Sequence, residues 1–431
     1  MRPISILLSI APMLIAQELQ IQHDTPRQLS LTGFLAEVLK TNLDLAANKF
    51  NINIAEAEIA MARLFSDPEI AAGISSKELY SPNKPESPTE YGVELSWTLE
   101  LGGKRSARTE VAEVGLQKAK VEFEVFVEEL RATAAEAFID ALKARKIADE
   151  TRKIHQGFVD IVRMNEIRYS AGDIGGVELA QSRLEARKFE GELIQADAEV
   201  RIADMALMQL LDTSALPFIP LGELNFAINP FDDEDVISSA IARGPEIQTA
   251  RQNLELANSE VKLAKANRWI DLGLSAGVNH VPPVKPYGFD IEPANKSNTL
   301  SAMVSIPIPF SRRNKGELVQ AEAVKSQAKL ELSSTELKTR SEAKAALAQY
   351  DASLKCLKTF QEGILQDADK VIQASKMSYQ KGHVSLMEYV MTQQSCAEVY
   401  LAYIGAQADY AKALIELDRV TGGHFRLVTR N

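Results

Sequence analysis

The chain has 431 residues, of which 45% are hydrophobic and only 6% aromatic, and its formal net charge at pH 7 is −11. Its richness in Ala, Glu, Lys, Leu and Gln favours long helices over compact globular domains. Because phosphate binding requires clustered Lys and Arg, and no such cluster stands out, a nucleic-acid partner is excluded.

The first 16 residues resemble a secretory signal. An apolar run from Ile4 to Ile15 follows a single Arg, and Ala16 offers a small residue for cleavage. The run is too short to span a bilayer, which takes about 20 apolar residues. We therefore expect export without a helical anchor, and the absence of a Cys near the cleavage point gives no support to a lipid anchor.

Four stretches predict β-strands with one apolar and one polar face: EIAAGISSKEL, YGVELSWTLEL, WIDLGLSAGVNH and LSAMVSIPIPF. In the second, the apolar positions include Val93, Leu95, Trp97 and Leu99, and the polar positions include Glu94, Thr98 and Glu100. In the fourth, Ile306 and Ile308 fall on the apolar side. This pattern is typical of transmembrane barrel strands, with the apolar residues facing lipid and the polar ones facing the lumen. Each strand alone also fits a half-buried soluble sheet.

The context of the strands favours the membrane interpretation. The connections within the two strand pairs, YSPNKPESPTEY and VPPVKPYGFDIEPANKSN, are polar and rich in Pro, as exposed loops would be. Four strands cannot close a barrel, and open sheet edges are not tolerated in lipid. The sequence therefore predicts an oligomer with a shared barrel. Glu94 and Glu100 would then face water, either as solvated groups or as groups that attract cations.

Two long helices are predicted from Lys104 to Tyr169 and from Lys315 to Tyr379, each about 100 Å long at 1.5 Å per residue. They run into YSAGDIGGVELAQ and YQKGHVSLMEYVM, which share the pattern Tyr-x-x-Gly. Gly172 and Gly382 end the helices, and a returning helix follows each. The turns at Tyr169 and Tyr379 are therefore expected to be the tips of two helical hairpins.

The chain is an internal duplication. The two turns lie 210 positions apart, the segments from Leu95 and Val304 lie 209 apart, and those from Leu43 and Pro245 lie 202 apart. We predict a signal at 1–16, a first repeat at 17–216, a linker at 217–233, a second repeat at 234–422 and a tail at 423–431. Each repeat is expected to contain a helix, two strands, a long helix, a turn and a helix.

The two turns, ELGGKRSARTEVAE and SIPIPFSRRNKGE together resemble the TolC-like outer-membrane efflux family, in its CzcC-like heavy-metal branch. The resemblance implies a mainly α fold in which helical hairpins form a periplasmic tunnel. It also implies a homotrimer that shares a twelve-stranded barrel in outer-membrane lipid, a periplasmic adaptor and an inner-membrane pump of the RND type. The cargo would be metal cations or small molecules. Many relatives are lipoproteins, which this chain does not match.

The resemblance also carries over candidates for a periplasmic gate: Glu178, Tyr379, His383 and Glu388. The alternative is that both Glu residues only begin the returning helices, where a carboxylate contributes about 0.3 to 1 kcal/mol. Two other classes of protein stay in view. A periplasmic adaptor would carry one hairpin rather than two, and a secreted oligomeric pore-forming protein would be a soluble monomer before it inserts.

The sequence contains no catalytic motif. His23, His155, His280, His383 and His424 are scattered, with no metal-binding or nucleophile motif around them. We therefore expect no enzyme activity, cofactor or resident metal. Cys356 and Cys396 would stand about 18 Å apart in the hairpin, too far for a disulfide, and both are expected to be buried.

Overall fold

The computed structural model describes residues 27–76, 89–213, 218–226, 231–283, 296–308 and 315–423. The predicted signal, most of the two predicted strand connections and residues 424–431 of the predicted tail lie outside these ranges.

The first half of the chain contains β1 (Arg27–Leu29), α1 (Leu31–Thr41), α2 (Leu43–Ala62), β2 (Glu69–Ser76), β3 (Thr89–Leu99), α3 (Lys104–Ala171) and α4 (Gly176–Leu210). The second half repeats this order as β4 (Phe218–Pro220), α5 (Asp233–Arg243), α6 (Pro245–Ala266), β5 (Leu272–Val281), β6 (Ser297–Ser305), α7 (Lys315–Thr359), α8 (Leu365–Gln380) and α9 (Leu386–Val420). A π-helical turn, Phe360–Ile364, separates α7 from α8. The predicted, mainly helical fold with two long hairpins and four long strands is confirmed.

The structure differs from the prediction before each strand pair, where one helix was expected and two are found. Asn42 separates α1 from α2 because its Oδ1 accepts from the Leu45 N–H at 2.9 Å while its Nδ2 donates to the Leu210 carbonyl at 3.1 Å. Pro245 begins α6 in the corresponding place. The predicted linker also contains β4, which pairs in parallel with β1. The sequence did not predict β1 and β4 because a strand of three residues is too short to show an alternation of apolar and polar residues.

The main core lies where α1, α3, α4, α7 and α9 meet around β1 and β4. Phe34 and Phe138 are fully buried there, with ring centroids 5.4 Å apart. Cys396 of α9 is buried, as predicted, but the prediction for Cys356 is wrong because that side chain is exposed on α7. No disulfide joins Cys356 and Cys396. A long helix that packs on one side leaves its other face open, and Cys356 lies on the open face.

The four long strands form one antiparallel sheet in the order β2-β3-β5-β6. Residues directly opposite in neighbouring strands point to the same face. Leu95 lies between Ile70 and Ala276, and Trp97 lies opposite Leu274, so these strands share an apolar face. Glu94 lies between Ala71 and Gly277 on the other face, which carries mainly small or polar residues. The apolar side chains are largely exposed, Ile70 at 76% and Leu300 at 80%.

The sheet is fastened to the helices by ion pairs. Lys104 Nζ at the start of α3 lies 2.7 Å from Asp271, just before β5. Arg108 Nη1 lies 2.8 Å from Glu100 Oε1, and its Nε donates to the Ala62 carbonyl at the end of α2. Glu100 thus lies beyond the end of β3 and is paired at this junction.

The remaining strand residues named from the sequence are placed as follows. Val93, Leu95, Trp97 and Leu99 lie on the apolar face of β3, and Thr98 lies opposite Gly273 on the polar face. Trp97 Nε1 donates to the Ser66 carbonyl at 2.8 Å. Ile306 and Ile308 follow the end of β6, and both are exposed. The apolar band therefore continues past the last paired residue of β6.

Candidate functional site

The two hairpin tips have the same backbone geometry. Gly172 and Gly382 adopt left-handed conformations, with φ of 85° and 77°, which only glycine adopts at little cost. Gly172 N–H donates to the Tyr169 carbonyl, and Gly382 N–H donates to the Tyr379 carbonyl, at 3.0 and 2.9 Å. The following residue in each turn donates back to the last helical turn at 2.9 Å. The repeated Tyr-x-x-Gly pattern thus corresponds to one repeated helix-ending motif.

The side chains of the two tips differ because the hairpins meet asymmetrically. Tyr169 is half exposed, whereas Tyr379 is buried between the hairpins. Its hydroxyl lies 2.8 Å from Asn165 Oδ1 of α3 and 3.1 Å from Glu178 Oε1 of α4, and shares its one proton between these acceptors. One hydroxyl of α8 therefore connects both helices of the first hairpin to the second.

An apolar cluster surrounds this contact, and we call it the tip cluster: Phe158, Ile161, Phe189, Tyr379, Leu386, Tyr389 and Val390. The Tyr379 and Tyr389 rings stack with centroids 5.2 Å apart, and those of Phe158 and Phe189 with centroids 4.6 Å apart. Burial raises the pKa of Tyr379, and the nearby Glu178 carboxylate acts in the same direction. Burial raises the pKa of Tyr389 to about 12. Both hydroxyls therefore stay protonated and able to donate at neutral pH.

Two polar side chains beside the tip cluster have an atom without a hydrogen-bond partner among the described residues. Asn165 is fully buried, and its Nδ2 has no acceptor among them. Arg168 Nη1 is likewise buried without such an acceptor, although the guanidinium carbon lies 5.5 Å from the centre of the Tyr379 ring.

The other gate candidates from the sequence lie outside this contact. Glu388 is exposed, and its Oε2 accepts from the Ser385 N–H at 2.9 Å while Ser385 Oγ accepts from the Glu388 N–H at 3.2 Å. This capping box begins α9. His383 is exposed on the turn. The structure thus brings together Glu178 and Tyr379 but not Glu388 and His383.

Sequence reasoning missed Asn165, Arg168 and Tyr389. Asn165 continues the apolar row of Phe158 and Ile161 on α3, and a polar residue in such a row was the available signal. Its partner Tyr379 lies 214 positions away, which no local pattern reveals.

No three side chains of His, Cys, Asp or Glu within the described ranges are placed to hold a metal ion. None of the helices in those ranges is both long enough and apolar enough to cross a membrane.

The chain combines two long helical hairpins with an exposed amphipathic sheet, and comparison with known proteins identifies its family. The model of the outer membrane efflux protein family matches residues 34–213 and 236–423, so the chain belongs to that family. It is an outer-membrane efflux protein and not an enzyme. Membership also decides against a secreted pore-forming protein.

Individual relatives are similar to this chain over almost its whole length. The cobalt-zinc-cadmium resistance protein CzcC of Cupriavidus metallidurans is 24% identical over 399 residues, which cover 91% of this chain and 90% of the relative. The outer membrane efflux protein BepC of Brucella suis is 22% identical, with 91% and 85% covered. A crystal structure of a membrane protein from Pseudomonas aeruginosa superimposes with a TM-score of 0.74 at 20% identity, with 91% and 90% covered.

Proposed function

We propose that three copies of the chain assemble into one channel, each contributing four strands to a twelve-stranded barrel. The observation that carries this proposal is the sheet itself. Its outer strands, β2 and β6, have no further partner among the described strands, and its apolar face is uncovered. Unpaired edges are not tolerated in lipid, so neighbouring copies would pair β2 with β6 until the barrel closes. The number three comes from the family resemblance.

The two faces of the sheet fit lipid outside and water inside. From Tyr91 to Leu99 the apolar side of β3 extends about 27 Å at roughly 3.4 Å per residue, which at a strand tilt of about 40° covers about 21 Å of the roughly 25 Å apolar height of outer-membrane barrels. On the opposite face Gly277 and Ser275 lie beside Glu94 and Ser96. Small side chains leave room for a water-filled passage, with Glu94 and Thr98 as lumen residues. This supports a passive duct.

Single cysteine substitutions test the faces. In intact outer membranes, Glu94→Cys and Thr98→Cys should react with a membrane-impermeant thiol reagent, whereas Val93→Cys and Leu95→Cys should be protected by lipid. The background should carry Cys356→Ser, since the native thiol is exposed. Val93→Cys and Leu95→Cys flank Glu94→Cys in the same strand and serve as its controls. Equal labelling of both faces would contradict the barrel.

We further propose that the duct receives cargo from a periplasmic adaptor and an inner-membrane RND pump, and that the cargo is metal cations or small molecules. The name of the CzcC relative, a cobalt-zinc-cadmium resistance protein, supports the metal class. Deletion of this protein should then lower the tolerance of its host to at least one of these three ions. Unchanged tolerance to all three, together with increased sensitivity to an organic toxin, would assign the cargo to the small molecules.

We propose that the hairpin tips form the periplasmic gate, with the Tyr379 hydroxyl as the contact that holds it shut. The tip cluster supports this because a single buried hydroxyl connects α8 to both α3 and α4. Glu388 and His383 would lie at the rim of the entrance, where they meet cargo and counter-ions first.

Single-channel conductance tests the gate. Tyr379→Phe removes the hydroxyl but keeps the ring, and a hydrogen bond to a charged group contributes about 1.5 kcal/mol, so the open fraction should rise about tenfold. Tyr169→Phe is the matched control, because Tyr169 occupies the same place in the first turn and is half exposed. If the two variants have the same open fraction, the Tyr379 hydroxyl does not hold the gate shut.

A further inference from the structure

The two connections that lead from a helix into the sheet repeat one pattern, an Arg followed by two apolar residues. Arg63-Leu64-Phe65 follows α2, and Arg268-Trp269-Ile270 follows α6. All six side chains are exposed. Exposed apolar groups that recur in both repeats mark a contact surface. We call these six residues, together with Trp97 and Arg105, the sheet rim.

The first connection is held in a fixed conformation. Arg108 Nη2 donates to the Leu64 carbonyl at 3.0 Å, and Trp97 Nε1 donates to the Ser66 carbonyl at 2.8 Å. Phe65 lies between these two residues in the chain and is 64% exposed. The hydrogen bonds thus hold an apolar ring in an exposed position, which costs free energy unless another molecule covers the ring.

The second connection is fixed in the same region. The Trp269 N–H donates to the Ala266 carbonyl at 3.0 Å, and the indole ring packs against Gly102. A Cβ at Gly102 would lie 2.3 Å from Trp269 Cγ, so only glycine leaves room for the ring. Trp269 therefore lies beside the start of α3, and it is also 64% exposed.

The sheet rim lies at the helical end of the apolar face. Trp97 belongs to this face, opposite Leu274, and α3 begins five residues after β3 ends. The chain has only two tryptophans, and both are in the sheet rim. Tryptophan is enriched where the hydrocarbon of a membrane meets its headgroups. In the proposed barrel the sheet rim would therefore lie at the headgroups of the periplasmic leaflet.

The charges near the sheet rim are divided between the two faces of the sheet. Lys104 and Arg108, four residues apart on one side of α3, pair with Asp271 and Glu100. Both carboxylates continue the polar alternation of β5 and β3. These two cations are therefore neutralised on the polar side.

Arg105 and Arg268 have no such partner. Both are exposed, and neither forms an ion pair with a described residue, whereas Arg63 pairs with Glu113 at 2.9 Å. The Arg105 guanidinium carbon lies 3.9 Å from the centre of the Phe65 ring. Stacking orients the guanidinium but leaves its N–H donors available. A planar fork of donors beside exposed apolar rings matches a phosphate group that is attached to acyl chains.

We propose that the sheet rim binds an anionic phospholipid of the periplasmic leaflet. Arg105 binds the phosphate group, Arg268 adds to the positive potential, and the acyl chains lie along Leu64, Phe65 and Trp269. A lipid bound in this way holds the barrel at one depth, because a shift would move charge into hydrocarbon or rings into water. The proposal rests on the proposed barrel, which supplies the membrane.

Quenching of tryptophan fluorescence tests the site without a label, because Trp97 and Trp269 are both in the sheet rim. The purified full-length protein is reconstituted into phosphatidylcholine vesicles in which part of the lipid is replaced by brominated phosphatidylglycerol or brominated phosphatidylcholine. Bromine quenches a tryptophan only at close contact, so the quenching at equal fractions compares the two headgroups. Phosphatidylglycerol should be preferred about fivefold or more, the contribution of one basic residue near anionic lipid.

Paired substitutions locate the preference. Arg105→Gln with Arg268→Gln removes both charges and should abolish the preference for phosphatidylglycerol. Arg187→Gln with Arg201→Gln removes two exposed Arg side chains of α4, away from the sheet, and should leave the preference unchanged. Arg105→Lys with Arg268→Lys keeps the charges and should retain most of the preference. Quenching by brominated phosphatidylcholine should be the same in all variants, which checks that the sheet rim stays in the membrane.

The outcomes separate the lipid site from the barrel. Equal quenching by both lipids in the unaltered protein would overturn the site and leave the barrel standing. A preference that survives Arg105→Gln with Arg268→Gln, or that is lost equally in the α4 pair, would also overturn the site. No quenching by either lipid would show that the tryptophans lie outside the membrane, which would contradict the barrel as well and favour a protein partner for the sheet rim.

Discussion

The rest of the structure depends on the unpaired edges of a four-stranded sheet with one apolar face. A sheet of this kind is stable neither in water, where Ile70 and Leu300 would stay exposed, nor alone in lipid, where the backbone groups of β2 and β6 would lack partners. The proposed association of copies would satisfy both requirements at once. The ion pair of Lys104 with Asp271 fastens the sheet to the start of α3.

The helices pack in two places, a large main core and the smaller tip cluster. The main core brings both repeats together through β1, β4 and the buried helices between them, so this part of each chain is one packed body. The tip cluster is smaller, and the Tyr379 hydroxyl connects it to Asn165 and Glu178. In the proposed channel the main core would stay packed while the tips change shape.

Local periodicity explains what the sequence could predict. The alternation in β3 and the left-handed glycines at Gly172 and Gly382 are consequences of backbone geometry, so they are readable residue by residue. The break at Asn42 depends on a carbonyl 168 positions away, and the partnership of Tyr379 with Asn165 spans 214.

The central claim is that the sheet is completed only by other copies of the chain, and the mass of the native assembly tests it most directly. Protein extracted from outer membranes in mild detergent should have the mass of three chains, and its sheet should persist only as long as the chains stay associated. A stable monomer that keeps the full strand content in detergent would contradict the account, because it would show that β2 and β6 need no partner from another chain.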